Sequence, residues 1–198
     1  DVKLIYNTNF TQTKLKDRSV FDYWRKFNSV SVGASLDDFG PRAEYIRKGT
    51  KWEDVEENRQ EMMRLCPSVD FYVSPTLSIM NAWHLPEFHR NWVERGFIRH
   101  KDLNVNILQD PPYYRIDIAT TEYKQRLEEK YRKHLSWLSE NGVHGFVPCG
   151  TTGEGPCLTE AERNQLIELS CEEAKNKNLK VIAGCGSNST VNALKMIH

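Results

Sequence analysis

A five-residue loop in the last third of the sequence, with two glycines and two threonines, is the segment best suited to bind an anion. The five residues of this loop are Gly150, Thr151, Thr152, Gly153 and Glu154. They follow Phe146–Cys149, which we predict to be a β-strand, and ligands of parallel α/β folds bind beyond the carboxyl ends of strands. Threonine hydroxyls and backbone N–H groups can donate to a carboxylate, and glycine lets the backbone approach it closely. We predict a carboxylate-binding loop here; the simpler alternative is a strand-to-helix turn.

A helix start follows the loop and completes a βαβ unit. Thr159 is placed to cap a helix, and Glu162 is placed three residues later to reach back to it, which is the capping-box pattern. We predict this helix from Thr159 to about Asn176, followed by the strand KVIAGCG and another helix start near Thr190. The segment His144–Gly186 is then a βαβ unit, which is typical of parallel α/β folds.

The same part of the chain, about 135–198, resembles the dihydrodipicolinate synthase/N-acetylneuraminate lyase family. The resemblance is carried by WLSENGVHGFVPCGTTGEGPCLTEAER and by VIAGCGSNST. It implies a (β/α)8 barrel that condenses or cleaves 2-oxo acids through a Schiff base between a lysine and pyruvate. Thr151 and Thr152 would hold the carboxylate of pyruvate, and one of their hydroxyls would join a proton relay with tyrosines.

The resemblance also implies roles for the residues around the threonine pair. Gly150, Gly153 and Glu154 would shape the loop. A second matching turn, which would cap a helix, contains Ser187, Asn188 and Thr190.

The sequence departs from the family where the reaction takes place. The family's lysine lies on the sixth strand and its tyrosines follow the third, whereas this chain ends at His198. A nucleophilic lysine must be desolvated or lie beside another cation, and the lysines near the loop are predicted to be solvated: Lys175, Lys177, Lys180 and Lys195. RIDIATTEYK also replaces the family's first strand. We therefore expect a piece of pocket without a catalytic residue, and no turnover by this chain alone.

Residues 1 to about 120 resemble a different group, the twitch-type radical S-adenosylmethionine proteins. The stretches that carry this resemblance are SVSVGASLDDFGPRAEYIRKGTKWEDVEENRQEM, FYVSPTLSIMNAWHLPEFHRNWVERGFI and LNVNILQDPPYYRIDI. The resemblance implies a parent that used S-adenosylmethionine and a [4Fe–4S] cluster. Three thiolates in a C-x-x-x-C-x-x-C loop hold such a cluster, but this half contains Cys66 alone. We therefore predict no cofactor and no metal for this chain.

The remnant of that pocket would be lined by four polar residues. They are Ser35, Asp37, Arg47 and Asn81. The alternative is structural: Asp37 and Asn81 are turn residues, and Arg47 pairs with Glu44 on the surface. His84 and His89 are five residues apart, which places them on different faces of a helix and argues against a metal pair.

Strands and helices alternate along the chain. The predicted strands include Val2–Thr8, Ser29–Leu36 and Val69–Ile79, and the predicted helices include Trp52–Leu65, His84–Arg95 and Glu122–Glu140. Lys101–Ile118 is predicted to be extended. The last of these helices carries one apolar stripe, formed by Leu127, Tyr131, Leu135 and Leu138.

These elements predict an α/β fold of parallel βα units of partial TIM-barrel type, not a complete closed eight-stranded barrel. We predict a radical-SAM-like region lacking the cluster loop over 1–120 and a dihydrodipicolinate-synthase-like region over 121–198, joined within about 121–138. A closed barrel typically uses about 250 residues. An unclosed sheet has free edges, so self-association through them is predicted.

Composition excludes several classes of partner. Lys plus Arg equals Asp plus Glu at 27 each, which gives no electrostatic reason to expect nucleic acid. No apolar run approaches the roughly 18 residues of a membrane helix, the first residues lack a signal-peptide profile, and the chain starts without Met, so we predict a cytoplasmic protein that is a fragment at its N-terminus. The five cysteines show no C-x-x-C spacing, which predicts free thiols.

Three hypotheses for function follow. The first is a fragment of a Schiff-base aldolase or lyase that binds a small 2-oxo acid weakly at most. The second is a remnant of a radical S-adenosylmethionine enzyme. The third is a chimeric or truncated chain without a function of its own, for which a broad, non-cooperative thermal transition would be evidence.

Overall fold

The computed structural model describes residues 2–150, 159–175, 177–186 and 190–195. The chain forms two compact units, Asp1–Asn104 and Val105–His198. Among the described residues, none of the helices combines the length and the apolar character needed to cross a membrane.

The Asp1–Asn104 unit is built from short strands and four helices. In chain order its elements are β1 (Lys3–Thr8), β2 (Lys14–Leu15), β3 (Arg18–Ser19), α1 (Val20–Trp24), β4 (Ser29–Ala34), α2 (Gly40–Ile46), α3 (Trp52–Leu65), β5 (Asp70–Val73), β6 (Thr76–Leu77) and α4 (Leu85–Glu94). The predicted helix over Trp52–Leu65 is confirmed, and the one predicted over His84–Arg95 is α4 with its two flanking residues.

A three-stranded parallel sheet forms the centre of this unit, with the strand order β1-β4-β5. Tyr6 lies opposite Val32, and Val32 lies opposite Phe71. Parallel strands are linked by helical crossovers, and α2 and α3 connect β4 to β5. Val32, Phe71 and Val73 are buried on one face, whereas Ile5 on the edge strand β1 is 64% exposed. The self-association predicted for such edges stays a prediction.

Aromatic residues from two helices pack together in the core. Trp52 and Val55 of α3 are buried, as are Phe88 and Trp92 of α4. The ring centroids of Phe88 and Trp92 lie 5.2 Å apart, and those of Trp52 and Trp92 lie 5.5 Å apart. The Phe88–Trp92 pair is edge-to-face, an arrangement that stabilises aromatic clusters beyond their buried area.

Two predicted elements of this region were too long. The strand predicted over Val69–Ile79 is interrupted between β5 and β6, because Pro75 has no N–H to continue the ladder. The stretch predicted to be extended over Lys101–Ile118 contains only the two-residue strand β7 (Asn106–Ile107) and then turns into two short 3-10 helices, Pro112–Tyr114 and Ile116–Ile118.

The Val105–His198 unit contains the predicted βαβ segment. After β7 and the two 3-10 helices come α5 (Thr121–Glu140), β8 (Gly145–Phe146), α6 (Glu160–Ala174), β9 (Lys180–Val181) and α7 (Thr190–Lys195). β8 and β9 pair in parallel, with Phe146 opposite Val181, so the βαβ prediction is confirmed. Together with the first unit this confirms an α/β fold with parallel strands, and the described strands form no closed barrel.

The apolar stripe predicted for α5 is only partly buried. Leu127, Tyr131, Leu135 and Leu138 are all half-buried. The residue of α5 that is buried is His134, whose ring stacks on Trp137 with centroids 5.5 Å apart. The charged residues of α5 instead make ion pairs, as Arg132 does with Glu128 of its own helix and Glu172 of α6.

Candidate functional site

Asp37 is the centre of a polar network at the carboxyl ends of β4 and β5. Its carboxylate accepts hydrogen bonds from Nε of Arg47 at 2.7 Å and from the backbone N–H of Thr76 at 2.8 Å. Nδ2 of Asn81 donates to the carbonyl oxygens of Asp37 at 2.8 Å and Thr76 at 3.0 Å. Asp37 and Asn81 are buried. The structure therefore brings together three of the four residues predicted for a pocket in this half.

The fourth predicted residue, Ser35, directly follows β4 and is bonded to the end of β1. Its backbone N–H donates to the carbonyl oxygen of Thr8 at 2.8 Å. The alternative pairing of Arg47 with Glu44 is wrong, because Arg47 pairs with Asp37. Glu44 instead accepts from the backbone N–H of Trp52 at 2.8 Å, which satisfies a free donor at the start of α3.

The contacts of Asn81 also fit the structural alternative. Its Oδ1 accepts from the backbone N–H of Ser78 at 2.8 Å, so the side chain fixes the turn that precedes α4. An asparagine that bonds nearby backbone groups in this way is a common turn device. A pocket role for Ser35, Asp37, Arg47 and Asn81 stays a prediction.

A cavity of about 200 Å³ lies beside Arg47. It is lined by Asn9, Thr11, Arg47, Lys48, Gly49 and Thr50. Two cationic side chains, two hydroxyls and one amide give it a donor-rich lining, and sequence reasoning selected only Arg47 among these residues. The signal that could have found the cavity is the polar run Arg47–Thr50 beyond α2.

The thiol of Cys66 and the imidazole of His89 are buried structural groups of this unit. Cys66 is buried and its Sγ lies 3.6 Å from the carbonyl oxygen of Phe21. Burial raises the pKa of the Cys66 thiol and lowers the pKa of His89 to about 4. His84 lies at the N-cap of α4, outside the helix that contains His89. The described part of the chain contains no group of three or more metal-ligating side chains.

The strand that leads to the predicted carboxylate loop is shorter than expected. We predicted Phe146–Cys149, but β8 ends at Phe146, because Pro148 has no N–H to donate. Hydrogen bonds to β9 nevertheless continue: Ile182 N–H donates to Phe146 O at 2.9 Å and Gly184 N–H to Pro148 O at 2.8 Å. Gly150 therefore lies just beyond the ends of both strands.

Most of the loop falls outside the described residues. Thr151, Thr152, Gly153 and Glu154 lie outside them, as do Ser187 and Asn188. Gly150 is described and follows Cys149, whose backbone is left-handed with φ of 59°. Thr190 is the first residue of α7. The carboxylate-binding role of the loop stays a prediction.

The capping box predicted for α6 is confirmed. The hydroxyl of Thr159 accepts from the backbone N–H of Glu162 at 3.3 Å, and the Glu162 carboxylate accepts from the backbone N–H of Thr159 at 2.9 Å. The Thr159 hydroxyl also donates to the Glu162 carboxylate at 2.8 Å. The two hydrogen bonds that this carboxylate accepts from Thr159 lower the pKa of Glu162. Because α6 starts at this cap, the segment from Gly150 to Thr159 connects the end of β8 to the N-terminal end of α6.

Arg163 is a buried residue of this region that the sequence analysis does not single out. It is 5% exposed, and its Nη1 donates to the carbonyl oxygen of Gly184 at 3.1 Å. Its own carbonyl oxygen lies 3.9 Å from Sγ of Cys149. Arg163 therefore joins α6 to the ends of both strands. No local signal marks it, because an arginine in the first turns of a charged helix ordinarily faces solvent.

Comparison with known proteins finds relatives of part of this unit. Residues 118–198 match the family model of the dihydrodipicolinate synthetase family. The chain is 49% identical over 67 residues to 4-hydroxy-tetrahydrodipicolinate synthase of Novosphingobium aromaticivorans, which covers 34% of this chain and 22% of the relative. The protein of the same name from Methanopyrus kandleri is 48% identical over 77 residues, or 39% of this chain and 25% of the relative. No solved structure matches.

The match is strong but short. A third relative, 4-hydroxy-tetrahydrodipicolinate synthase of Chloroherpeton thalassium, is 43% identical over 79 residues, or 38% of this chain and 26% of the relative. The chain thus spans about a quarter of the length of the relatives that it matches. The match to the dihydrodipicolinate synthetase family begins at residue 118, and these findings do not bear on the radical S-adenosylmethionine resemblance of the first unit.

The described lysines that follow α6 differ in their surroundings. Lys175 and Lys180 are exposed, as predicted. Lys177 is half-buried instead, and its ammonium group donates to Oγ of Ser136 at 2.7 Å and of Ser139 at 3.0 Å. It also lies 3.4 Å from a carboxylate oxygen of Glu173. Lys177 therefore joins α5 to the end of α6.

Proposed function

We propose that residues 118–198 are the first part of a Schiff-base aldolase of the 4-hydroxy-tetrahydrodipicolinate synthase type, in a partial TIM-barrel arrangement. Its ligand is a small 2-oxo acid such as pyruvate, bound through its carboxylate by Gly150–Glu154. These 198 residues alone carry no imine-forming lysine and turn over no substrate. The observations that support this most directly are the family match over residues 118–198 and the 46–49% identity of part of the chain to three synthases.

The described geometry supports the position of the proposed site. Gly150 lies at the carboxyl end of a parallel strand pair, which is where ligands of α/β folds bind. The capped N-terminal end of α6 follows, and its free N–H groups and helix dipole favour an anion nearby. The loop residues Thr151 and Thr152 would add two hydroxyl donors.

The absence of a nucleophile is proposed from the surroundings of the lysines. Lys175 and Lys180 are exposed, so neither ammonium group is desolvated. Lys177 is held between two hydroxyls and a carboxylate, which is a structural position. An amine that attacks a carbonyl must instead be desolvated or lie beside another cation.

Pyruvate titration tests the carboxylate site. We expect saturable chemical-shift changes in ¹H–¹⁵N spectra at Gly150 and its neighbours, with a dissociation constant in the millimolar range or weaker. Replacing both threonines (Thr151→Val, Thr152→Val) should weaken binding by at least about tenfold, because hydrogen bonds to a charged group are each worth about 1.5–3 kcal/mol. Thr190→Val is the matched control and should change nothing. Binding that is unaffected by the double replacement would place the ligand elsewhere.

Borohydride reduction of the same samples tests the missing nucleophile. We expect no mass increase after treatment with pyruvate and borohydride, whereas the Novosphingobium aromaticivorans relative should be labelled. A stable adduct on any of Lys175, Lys177, Lys180 or Lys195 would contradict the proposal.

A second candidate concerns the Asp1–Asn104 unit. We infer from the Asp37 network and the neighbouring cavity that this unit is a remnant of a radical S-adenosylmethionine fold, in which Ser35, Asp37, Arg47 and Asn81 line the former pocket. The observation that favours it is that Asp37, Arg47 and Asn81 share one network at the carboxyl ends of parallel strands.

This remnant is expected to bind no iron–sulfur cluster. Cys66 is buried and hydrogen-bonded in the core, and a single thiolate does not hold a [4Fe–4S] cluster. Anaerobic incubation with iron and sulfide, followed by desalting, should leave no stoichiometric cluster absorbance, in the wild type or in Cys171→Ser. A stable cluster that survives desalting would overturn this prediction.

A further inference from the structure

The ends of β8 and β9 lead into two cysteines on adjacent chain segments. Cys149 and Cys185 are both thiols in the structure. The hydrogen bond from Gly184 N–H to Pro148 O, 2.8 Å long, brings the two chain segments together one residue before each cysteine. Extending the register of β8 and β9 puts Cys149 opposite Gly184, one residue short of Cys185.

The expected separation suits a disulfide. Neighbouring strands lie about 4.8 Å apart and each residue advances about 3.3 Å, so an offset of one residue gives a Cα–Cα distance of about 6 Å. Disulfides commonly form at Cα–Cα distances of about 5.5–6 Å. The backbones approach closely here, because a Cβ on Gly184 would lie 2.8 Å from the amide nitrogen of Gly150.

Both side chains point to the side of the sheet that α6 covers. Phe146 is buried and Val147 is 64% exposed, so side chains alternate between α6 and the opposite face. Alternation puts Cys185 on the same side as Val181, and Cys185 is half-buried. The left-handed backbone of Cys149 breaks the alternation of its own strand, and its Sγ lies 3.9 Å from the carbonyl oxygen of Arg163 in α6.

We propose that Cys149 and Cys185 are a redox-active thiol pair that closes a reversible disulfide between the ends of β8 and β9. The disulfide would covalently fix the two strand ends directly before Gly150. This inference is independent of the proposed function, because it rests on the positions of the two thiols and not on ligand binding.

The reaction needs an external disulfide, for which oxidised glutathione is the probe. The more exposed thiol, Cys185, loses its proton and attacks one sulfur of glutathione disulfide, and one glutathione thiolate leaves and takes up a proton. Cys149 then loses its proton to solvent and attacks the Cys185 sulfur of the mixed disulfide, which releases the second glutathione. Two protein thiols are oxidised and one glutathione disulfide is reduced to two thiols.

The two cysteines differ in a way that assigns their order. Cys149 is 8% exposed, and burial raises the pKa of its thiol. A buried thiol with little thiolate reacts slowly with an external disulfide but is well placed for the second, intramolecular step. Cys185 is therefore the attacking thiol and Cys149 the resolving one.

The test is oxidation of the whole 198-residue chain, followed by alkylation and mass mapping. We expect a mass loss of two hydrogens and a Cys149–Cys185 peptide pair, both reversed by a dithiol reductant. In Cys149→Ser, the glutathione adduct on Cys185 should persist at least about tenfold longer than in the wild type. Cys171→Ser, which removes an exposed thiol of the same unit, should behave as the wild type.

Two further variants keep the result interpretable. Cys185→Ser should leave Cys149 unmodified over the same period, which is informative even where Cys149→Ser folds poorly. The fifth cysteine, Cys157, lies outside the described residues, and the pair should still form in the variant Cys157→Ser, Cys171→Ser. A lasting adduct on wild-type Cys185 without cross-linking, or a dominant cross-link through Cys157, would overturn the proposal.

Discussion

Replacing Asp37 with alanine is expected to destabilise the Asp1–Asn104 unit by about 3 kcal/mol. The carboxylate is buried and accepts from the Arg47 guanidinium and from the backbone N–H of Thr76. Its removal leaves that N–H and a partly buried cation without their acceptor, and one buried unsatisfied donor costs about 1–3 kcal/mol. Arg47 keeps 34% of its side chain exposed, so water offsets part of the loss on that side.

Native-state hydrogen exchange measures this effect where it arises. The Thr76 amide should lose protection most strongly in Asp37→Ala, and Asp37→Asn, which keeps an oxygen acceptor, should restore part of it. Asp70→Ala is the matched control, since Asp70 also pairs with an arginine but both side chains are about 60% exposed. An exposed pair of this kind contributes at most about 1 kcal/mol.

The comparison between Asp37 and Asp70 separates the effect of burying a carboxylate from the effect of its ion pair with an arginine. Equal losses of stability in the two alanine variants would show that the network contributes no more than an ordinary surface ion pair. A normal Thr76 protection factor in Asp37→Ala would show that the carboxylate is not the acceptor of that N–H.

The features that could be predicted from the sequence are those fixed by local signals. α3 follows its pattern of apolar spacing from Trp52 to Leu65, and α6 starts at the predicted Thr159 cap. Both depend on residues within one or two helical turns, which the sequence displays directly. The threonine loop is predicted for a similar reason, because its residue types stand side by side, and its carboxylate-binding role stays a prediction.

The features that could not be predicted depend on contacts between distant segments. Arg163 reaches Gly184 across 21 positions, and Asn81 reaches Asp37 across 44. No pattern in either segment specifies the partner in the other. The strand predicted over Phe146–Cys149 is too long for a local reason. Its apolar residues favour a strand, but Pro148 has no N–H to continue the ladder.

The ends of the strands show how closely such distant segments can depend on each other. Gly184 is followed by Cys185 and Gly186, and the sequence alone does not distinguish the two glycines. In the structure a Cβ on Gly184 would overlap the carbonyl oxygen of Cys149 and lie 2.5 Å from its carbonyl carbon, whereas a Cβ on Gly186 meets nothing within 4 Å. Only the first glycine is required by packing.

Gly184→Ala is therefore expected to destabilise the Val105–His198 unit by about 3 kcal/mol or more. The atoms in the way are backbone atoms, which cannot rotate aside, so the strand ends must separate. Overpacking costs about 1–3 kcal/mol, and separation also loses the hydrogen bond from Gly184 to Pro148, worth about 1 kcal/mol. Chemical denaturation measures the total loss of stability, and hydrogen exchange at Phe146 and residue 184 measures the separation of the strand ends.

Gly186→Ala is the matched control and should be neutral or slightly stabilising, because alanine restricts the unfolded chain without meeting a neighbour. A small effect of both replacements would mean that the strand ends separate easily, and the close approach that places Cys149 beside Cys185 would then not hold in solution. A large loss of stability in Gly184→Ala, but not in Gly186→Ala, would show that Gly184 stays close to the backbone of Cys149 in solution. Gly184→Ala should also slow formation of the Cys149–Cys185 disulfide, so stability and cross-linking would report the same geometry independently.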